Sequence, residues 1–177
     1  MLFLIAERWD ILDENGRPTG KTTIRGRNFL KNGEYHLVVH IWIVSSDGKI
    51  LIQKRSDSKK LMPGEWAATG GAAISGESSF CAAQRELFEE LGIRSTPKTL
   101  KKILHIKKRN SFLDVWAISC DIPVGKLVLQ ECEVADAKWV TVAELNRMIE
   151  NGEFHNYGKE YFKRVFEKIE NLSVALV

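Results

Sequence analysis

Ten consecutive residues, Tyr35-His36-Leu37-Val38-Val39-His40-Ile41-Trp42-Ile43-Val44, are almost all aliphatic, aromatic or β-branched. Apolar side chains fill both alternating sets of positions, which predicts a strand covered on both faces. His36 and His40 alternate with Leu37 and Val39, so both point to one face. Histidines in that setting read as satisfied core or pocket residues rather than ligands. Asp47-Gly48 makes the next turn, and Lys49 to Lys54 follows as a strand with Ile50 and Ile52 on one face and Leu51 and Gln53 on the other.

Upstream, the apolar start Met1 to Ala6 reads as a first strand, and it lacks the basic leader of a secretory signal. Trp9, Ile11 and Leu12 lead into Asp13-Glu14-Asn15-Gly16, a turn that Thr22 to Ile24 leave on the way back, so an N-terminal hairpin occupies about residues 1–30. Downstream, strands are predicted at Leu100 to Lys107, Phe112 to Cys120 and Ala137 to Val140, and helices at Val142 to Asn151 and Tyr157 to Ile169. No repeat, low-complexity stretch or Pro/Gly/Ser-rich linker divides the chain, so one mixed α/β domain over residues 1–177 is expected.

Composition excludes some classes. An apolar content of 44% with a net charge of +3 is that of an ordinary globular chain, not a disordered one. The longest apolar runs, Leu37 to Val44 and Val134 to Val142, are interrupted by His40 or by Asp136 and Lys138, so no membrane partner is expected. The three cysteines match no zinc spacing, which fits a reduced, cytoplasmic setting. Basic residues cluster from Lys98 to Arg109 and could draw a polyphosphate or nucleic acid; a charged sheet edge explains them better, so nucleic acid is not an expected partner.

From Ser78 to Leu91 the pattern turns helical, with Phe80, Ala83, Leu87 and Leu91 near one stripe and Gly92 as the C-cap. Glu86, Glu89 and Glu90 fall at i, i+3 and i+4 and share one side of that helix. They also lie in its last turns, where the macrodipole is negative, so a compensating cation is needed. Hard divalent ions such as magnesium take oxygen ligands together with water and phosphates. On their own, three glutamates more often form a solvated face, with Arg85 easing the repulsion. The segment before them, Trp66-Ala67-Ala68-Thr69-Gly70-Gly71, changes the balance, because paired glycines let backbone approach a ligand.

Gly71, then Glu77 after five residues, then Arg85-Glu86-Leu87-Phe88-Glu89-Glu90-Leu91-Gly92-Ile93, reproduce every fixed position of the Nudix box. The chain therefore resembles the Nudix hydrolases over Gly71 to Ile93, with Leu51 to Arg55 and Pro63-Gly64-Glu65-Trp66 also similar to that family. The resemblance implies an α/β/α sandwich with a mixed β-sheet, flanked here by the N-terminal hairpin. It further implies hydrolysis of a small-molecule diphosphate with magnesium, or manganese in its place, and leaves a homodimer open. Glu86, Glu89, Glu90 and the carbonyl of Gly70 are the implied metal ligands, and Arg85 the residue that orients a glutamate. Glu77 either pairs with that arginine and supports the metal shell or is a structural carboxylate at the helix start. In this pattern Glu133 is the implied general base, with Glu131 as the alternative, and Lys54 and Arg55 are candidates to meet phosphate, with Gly71 giving the substrate room.

Tyr35 to Trp42 and Lys59 to Trp66 also look like isopentenyl-diphosphate isomerase, a relative of the same fold. That enzyme needs a cysteine and a histidine in the loop after the tryptophan, where this chain has Ala67-Ala68-Thr69-Gly70-Gly71-Ala72-Ala73. His36 and Asp114 fall at two of its metal positions, but Phe29 replaces a third ligand, so hydrolysis is favoured. A catalytically silent nucleotide-sensing module is the third reading, and the intact carboxylate set argues against it. The box reads the diphosphate; which organic group it carries is set by loops elsewhere, and Trp9, Trp42, Trp66 and Trp116, four of the five tryptophans, are explained by packing as readily as by base stacking.

Overall fold

A computed structural model describes residues 7–26 and 30–174, with side chains through residue 170. The first strand predicted at Met1 to Ala6, and Phe29, lie outside the described residues. The hairpin is present as β1 (Arg8–Leu12) and β2 (Pro18–Ile24), paired antiparallel across Gly16 at φ 77. Asp13 Oδ1 closes the turn by accepting from the backbone N–H groups of Asn15 and Arg17 at 2.8 and 2.9 Å.

The predicted two-faced strand is β3 (His36–Val44), the centre of a seven-stranded sheet. Along one edge it pairs antiparallel with β4 (Ile50–Arg55) and with β6 (Thr69–Ala72), which follows the short β5 (Trp66–Ala67). Along the other edge it runs parallel to β8 (Ser111–Ser119), His36 opposite Ser111 and Val44 opposite Ser119. The basic segment forms β7 (Leu100–Lys107), which lies at the end of the sheet path beside β8, as a charged edge should. Strand β9 (Val134–Val140) pairs with β4 and starts three residues before the expected Ala137, because Val134 and Asp136 continue the ladder opposite Arg55 and Lys54.

Side-chain alternation on β3 and β4 divides the core. Val39, Ile41, Ile43 and Leu51 face helix α1 (Ser79–Leu91) and its Ala82, Ala83, Leu87 and Leu91. Trp42, Val44, Ile50 and Ile52 face α2 (Val142–Glu150) and α3 (Lys159–Val174) through Leu145, Met148, Tyr161, Phe162 and Val165. The result is the expected mixed sheet between helices. Helix α3 runs past the predicted end at Ile169, to Val174. Helix α1 starts one residue after the expected Ser78, which is its N-cap, and ends at the predicted C-cap. Ser78 accepts from the Cys81 N–H at the start of α1, and Gly92 at φ 71 ends it with N–H bonds from Gly92 and Ile93 back to Phe88 and Leu87. No helix among the described residues is long and apolar enough to cross a membrane.

Candidate active site

The β6 strand and the last turns of α1 meet at Gly70 and Gly71. Gly70 has φ 150, and a Cβ there would stand 2.1 Å from the Val39 carbonyl oxygen, so only glycine permits this pairing of β6 with β3. At Gly71 a Cβ would stand 2.3 Å from Glu86 Oε1. The missing side chain is the space in which the Glu86 carboxylate lies.

Arg85 is the hub of the acidic cluster. Its Nε and Nη2 donate to the two Glu77 oxygens at 2.8 and 3.0 Å, its Nη1 donates to Glu86 Oε1 at 2.9 Å and Glu89 Oε2 at 3.0 Å, and Nη2 also reaches the Ala72 carbonyl at 3.1 Å. Burial disfavours the guanidinium charge, but Glu77 and Glu86 outweigh it and raise its pKa well above the usual arginine range. Glu77 additionally accepts from the Ile74 N–H at 3.0 Å, so it serves both the arginine and the loop before the helix.

Glu90 points the other way, into the protein. It is 3% exposed, and one oxygen accepts from Gln53 Nε2 at 2.8 Å and the Gly70 N–H at 3.1 Å. Burial, reinforced by Glu86, pushes its pKa up to about 8, and burial pushes Glu86 up to about 7 against the opposing pull of Arg85. Glu89 is the exposed member of the set. As the side chains stand, each glutamate is turned to a protein donor, and among the described residues no three acidic, histidine or cysteine side chains are arranged to hold a metal ion.

The donor chemistry nonetheless fits a hard divalent ion. Burial holds the carboxyls of Glu86 and Glu90 toward their neutral forms, the glycine pair leaves room beside them, and Gln53 Oε1 is buried with no partner. Gln53 was placed by alternation on the face it occupies, yet its bond to Glu90 was not foreseen; an amide in the interior of an apolar strand was the available signal.

The remaining predicted residues border this cluster. Glu133 is half-buried in the loop before β9, is ion-paired with Lys59, and its charge adds to the upward pressure on Glu90. Its carbonyl accepts from the Ser56 N–H at 2.9 Å, which ties that loop to the end of β4. Lys59 was not singled out in the sequence. Glu131 is exposed. Lys54 and Arg55 end β4 half-buried, and Arg55 Nε donates to the Leu61 carbonyl at 3.1 Å.

The positions shared with the isomerase are otherwise engaged. Asp114 accepts from His105 Nδ1 at 2.5 Å and Lys102 Nζ at 3.2 Å, while His36 stacks on Trp9 at 4.2 Å. His36 is less satisfied than expected, since its Nδ1 is buried without a partner. His40 is a core histidine, bonded through Nδ1 to the Tyr161 hydroxyl at 2.8 Å. The Trp42 indole N–H donates to the same hydroxyl at 2.9 Å, so Tyr161 joins both side chains of β3.

The NUDIX domain family model matches residues 34–163. An uncharacterised Nudix hydrolase of Listeria monocytogenes is 43% identical over 152 residues, covering 85% of this chain and 89% of the relative. Among solved structures, the Deinococcus radiodurans protein DR0079 superposes with a TM-score of 0.72 at 25% identity, over 85% of this chain and 93% of that one. The NUDIX domain of Shewanella oneidensis NrtR complexed with ADP ribose superposes with a TM-score of 0.52 at 19% identity, over 64% and 77% of the two chains, a likeness of fold.

Proposed function

Because the chain belongs to the Nudix hydrolase family, we propose that it cleaves the diphosphate linkage of a nucleoside diphosphate derivative, or a related organic diphosphate, by attack of water at phosphorus. The observation that carries the reading is the opposed holding of the acidic residues: Glu77, Glu86 and Glu89 on one guanidinium, Glu90 on Gln53 and Gly70. Glu86, Glu89, Glu90 and the main-chain carbonyl of Gly70 hold magnesium, or manganese in its place. When bound, the metal neutralises the diphosphate and makes phosphorus more electrophilic.

The chain's own residues supply the rest. Arg85 fixes the rotamers of Glu86 and Glu89, so little order has to be gained when substrate arrives. Gln53 fixes Glu90. Glu133 takes the proton of the attacking water, and its ion pair with Lys59 holds the carboxylate in place. Lys54 and Arg55 offer positive charge to the phosphates, and Gly71 keeps the approach clear. All 177 residues act as one domain in this reading, in a cytoplasmic setting that suits three cysteines with no disulfide.

The test is a screen of nucleoside diphosphate sugars, dinucleotides, nucleoside triphosphates and prenyl diphosphates with magnesium in ¹⁸O-water, read by mass spectrometry. Label entering a phosphate product, and its loss in Glu89→Gln, is the expected result. Turnover that is unchanged in Glu89→Gln, or that persists in excess chelator, refutes the site.

A further inference from the structure

A cavity of about 270 Å³ opens at the other end of α1, where the β1–β2 hairpin meets the start of β3, the loop before α1, and strands β7 and β8. It lies beyond Glu77 from the carboxylates of the α1 C-terminal half, and none of Glu86, Glu89 and Glu90 lines it. Leu12, Leu37 and Phe112 give it apolar walls. The imidazole of His105 is stacked on the buried Phe112 ring, 12° apart with centroids at 5.4 Å, so the exposed His105 supplies the aromatic face of the cavity.

Its polar groups are ordered and only partly used. Asp114, 3% exposed, takes one bond on each oxygen, from His105 and Lys102. Asp10 takes one on each, from Ser75 Oγ at 2.6 Å and the Gly76 N–H at 2.8 Å. A carboxylate oxygen accepts two, so both retain acceptor capacity. Ser79 Oγ accepts from the Trp116 indole at 3.0 Å and keeps its own proton to donate. Asp10, Glu77 and Asp114 put three carboxylates in the lining against the one lysine, Lys102, so a phosphate or other anion is disfavoured. What the cavity offers is a stacking surface beside acceptors for hydroxyl protons.

We infer that this cavity is a binding site for a neutral ring compound carrying adjacent hydroxyls, of the size and chemistry of a ribonucleoside. The ring lies against His105, which Phe112 backs, and the hydroxyls donate to Asp114 and Asp10 and accept from Ser79 and Lys102. The site is distinct from the hydrolytic centre and communicates with it through Glu77, which lines the cavity while both its oxygens hold Arg85. The hairpin forms one wall around the occupant, since Asp10 and Leu12 belong to β1.

Adenosine, which has no phosphate, is the probe, added to ¹⁵N-labelled protein in excess chelator so that neither metal nor turnover is involved. Expected are amide shifts at Leu12, Ser79, His105 and Phe112, binding at least tenfold weaker for 2′,3′-dideoxyadenosine, and no gain in affinity for adenosine monophosphate. Ser79→Ala and Phe112→Leu each weaken adenosine at least fivefold; Ser79→Ala removes a single hydroxyl at the first residue of α1, so it reports even where Phe112→Leu loosens the fold. Absence of binding, equal affinity for the dideoxy compound, or shifts centred on Glu86 to Glu90 and untouched by Ser79→Ala overturns the inference. Because no diphosphate is cleaved in this assay, its failure is separate from any failure of the hydrolase reading.

Discussion

Substituting alanine at Gly70 and at Gly71 in turn separates folding from chemistry within two adjacent residues. At Gly70 the added Cβ meets backbone, 2.1 Å from the Val39 carbonyl oxygen and 3.0 Å from the His40 Cα, at a φ of 150 that L residues avoid. Overpacking against backbone costs about 1–3 kcal/mol, and the disfavoured dihedral about 1–3 kcal/mol more. A loss of roughly 2–6 kcal/mol is expected, which for a chain of this size lowers Tm on the order of 10 °C. At Gly71 the new methyl meets only the far end of a side chain, Glu86 Oε1 at 2.3 Å, and no positive φ stands in the way. Displacing Glu86 from Arg85 weakens one charge-assisted hydrogen bond, about 1.5–3 kcal/mol at most. The lowered entropy of the unfolded chain returns about 0.4–1 kcal/mol. Gly71→Ala should therefore melt within a few degrees of wild type while losing about a hundredfold or more in kcat/KM, with a higher magnesium requirement. Differential scanning calorimetry and initial rates over a magnesium series measure both. A Gly71→Ala enzyme with normal rates and metal dependence refutes the placement of Glu86 in the active centre, and a Gly70→Ala protein as stable as wild type refutes the backbone argument.

Glu90→Gln tests the buried carboxyl. Its folded pKa, about 8, stands above the unfolded value near 4.5, so its contribution to stability is complete below pH 4.5 and is lost as pH rises through 8. In chelator, the melting difference in favour of Glu90→Gln should grow from pH 5 to pH 8.5, by roughly 4 kcal/mol at most, while turnover with magnesium collapses; a pH-independent difference counts against the burial effect. Arg85→Lys keeps one charge but cannot span Glu77, Glu86 and Glu89 together, so kcat should fall about a hundredfold, and a lysine enzyme of full activity would show that charge alone suffices. Tyr161→Phe leaves the Trp42 indole N–H and His40 Nδ1 buried without their partner, an expected loss of roughly 2–4 kcal/mol by chemical denaturation. A change below 1 kcal/mol means another group replaces the hydroxyl.

The elements legible in the sequence are those with strong local signals. The run Tyr35 to Val44 carries its two-faced burial in its composition, and α1 is framed by Ser78 and Gly92. Pairing is different. That β3 lies parallel to β8 and that β9 begins at Val134 depend on which edges meet in space, and the exposed Ala135 and Asp136 gave Val134 to Asp136 no apolar alternation to read. Within the candidate site, the i, i+3, i+4 spacing put three glutamates on one side of α1 but not their separate directions. Glu90 is seven residues from Ala83 and three from Leu87, on the buried stripe, whereas Glu89 is turned to solvent. The Gln53–Glu90 and Lys59–Glu133 contacts join segments 37 and 74 residues apart, beyond the reach of any periodicity.

The parallel alignment of β3 with β8 also sets the order in which the molecule can be made. The middle strand of the sheet has no lasting neighbour on one flank until Phe112 to Ser119 exist, so a chain emerging from the ribosome must carry Val39, Ile41 and Ile43 with that flank bare while some seventy further residues are synthesised. Fragments ending before Ser111 should accordingly aggregate rather than settle into a smaller native state.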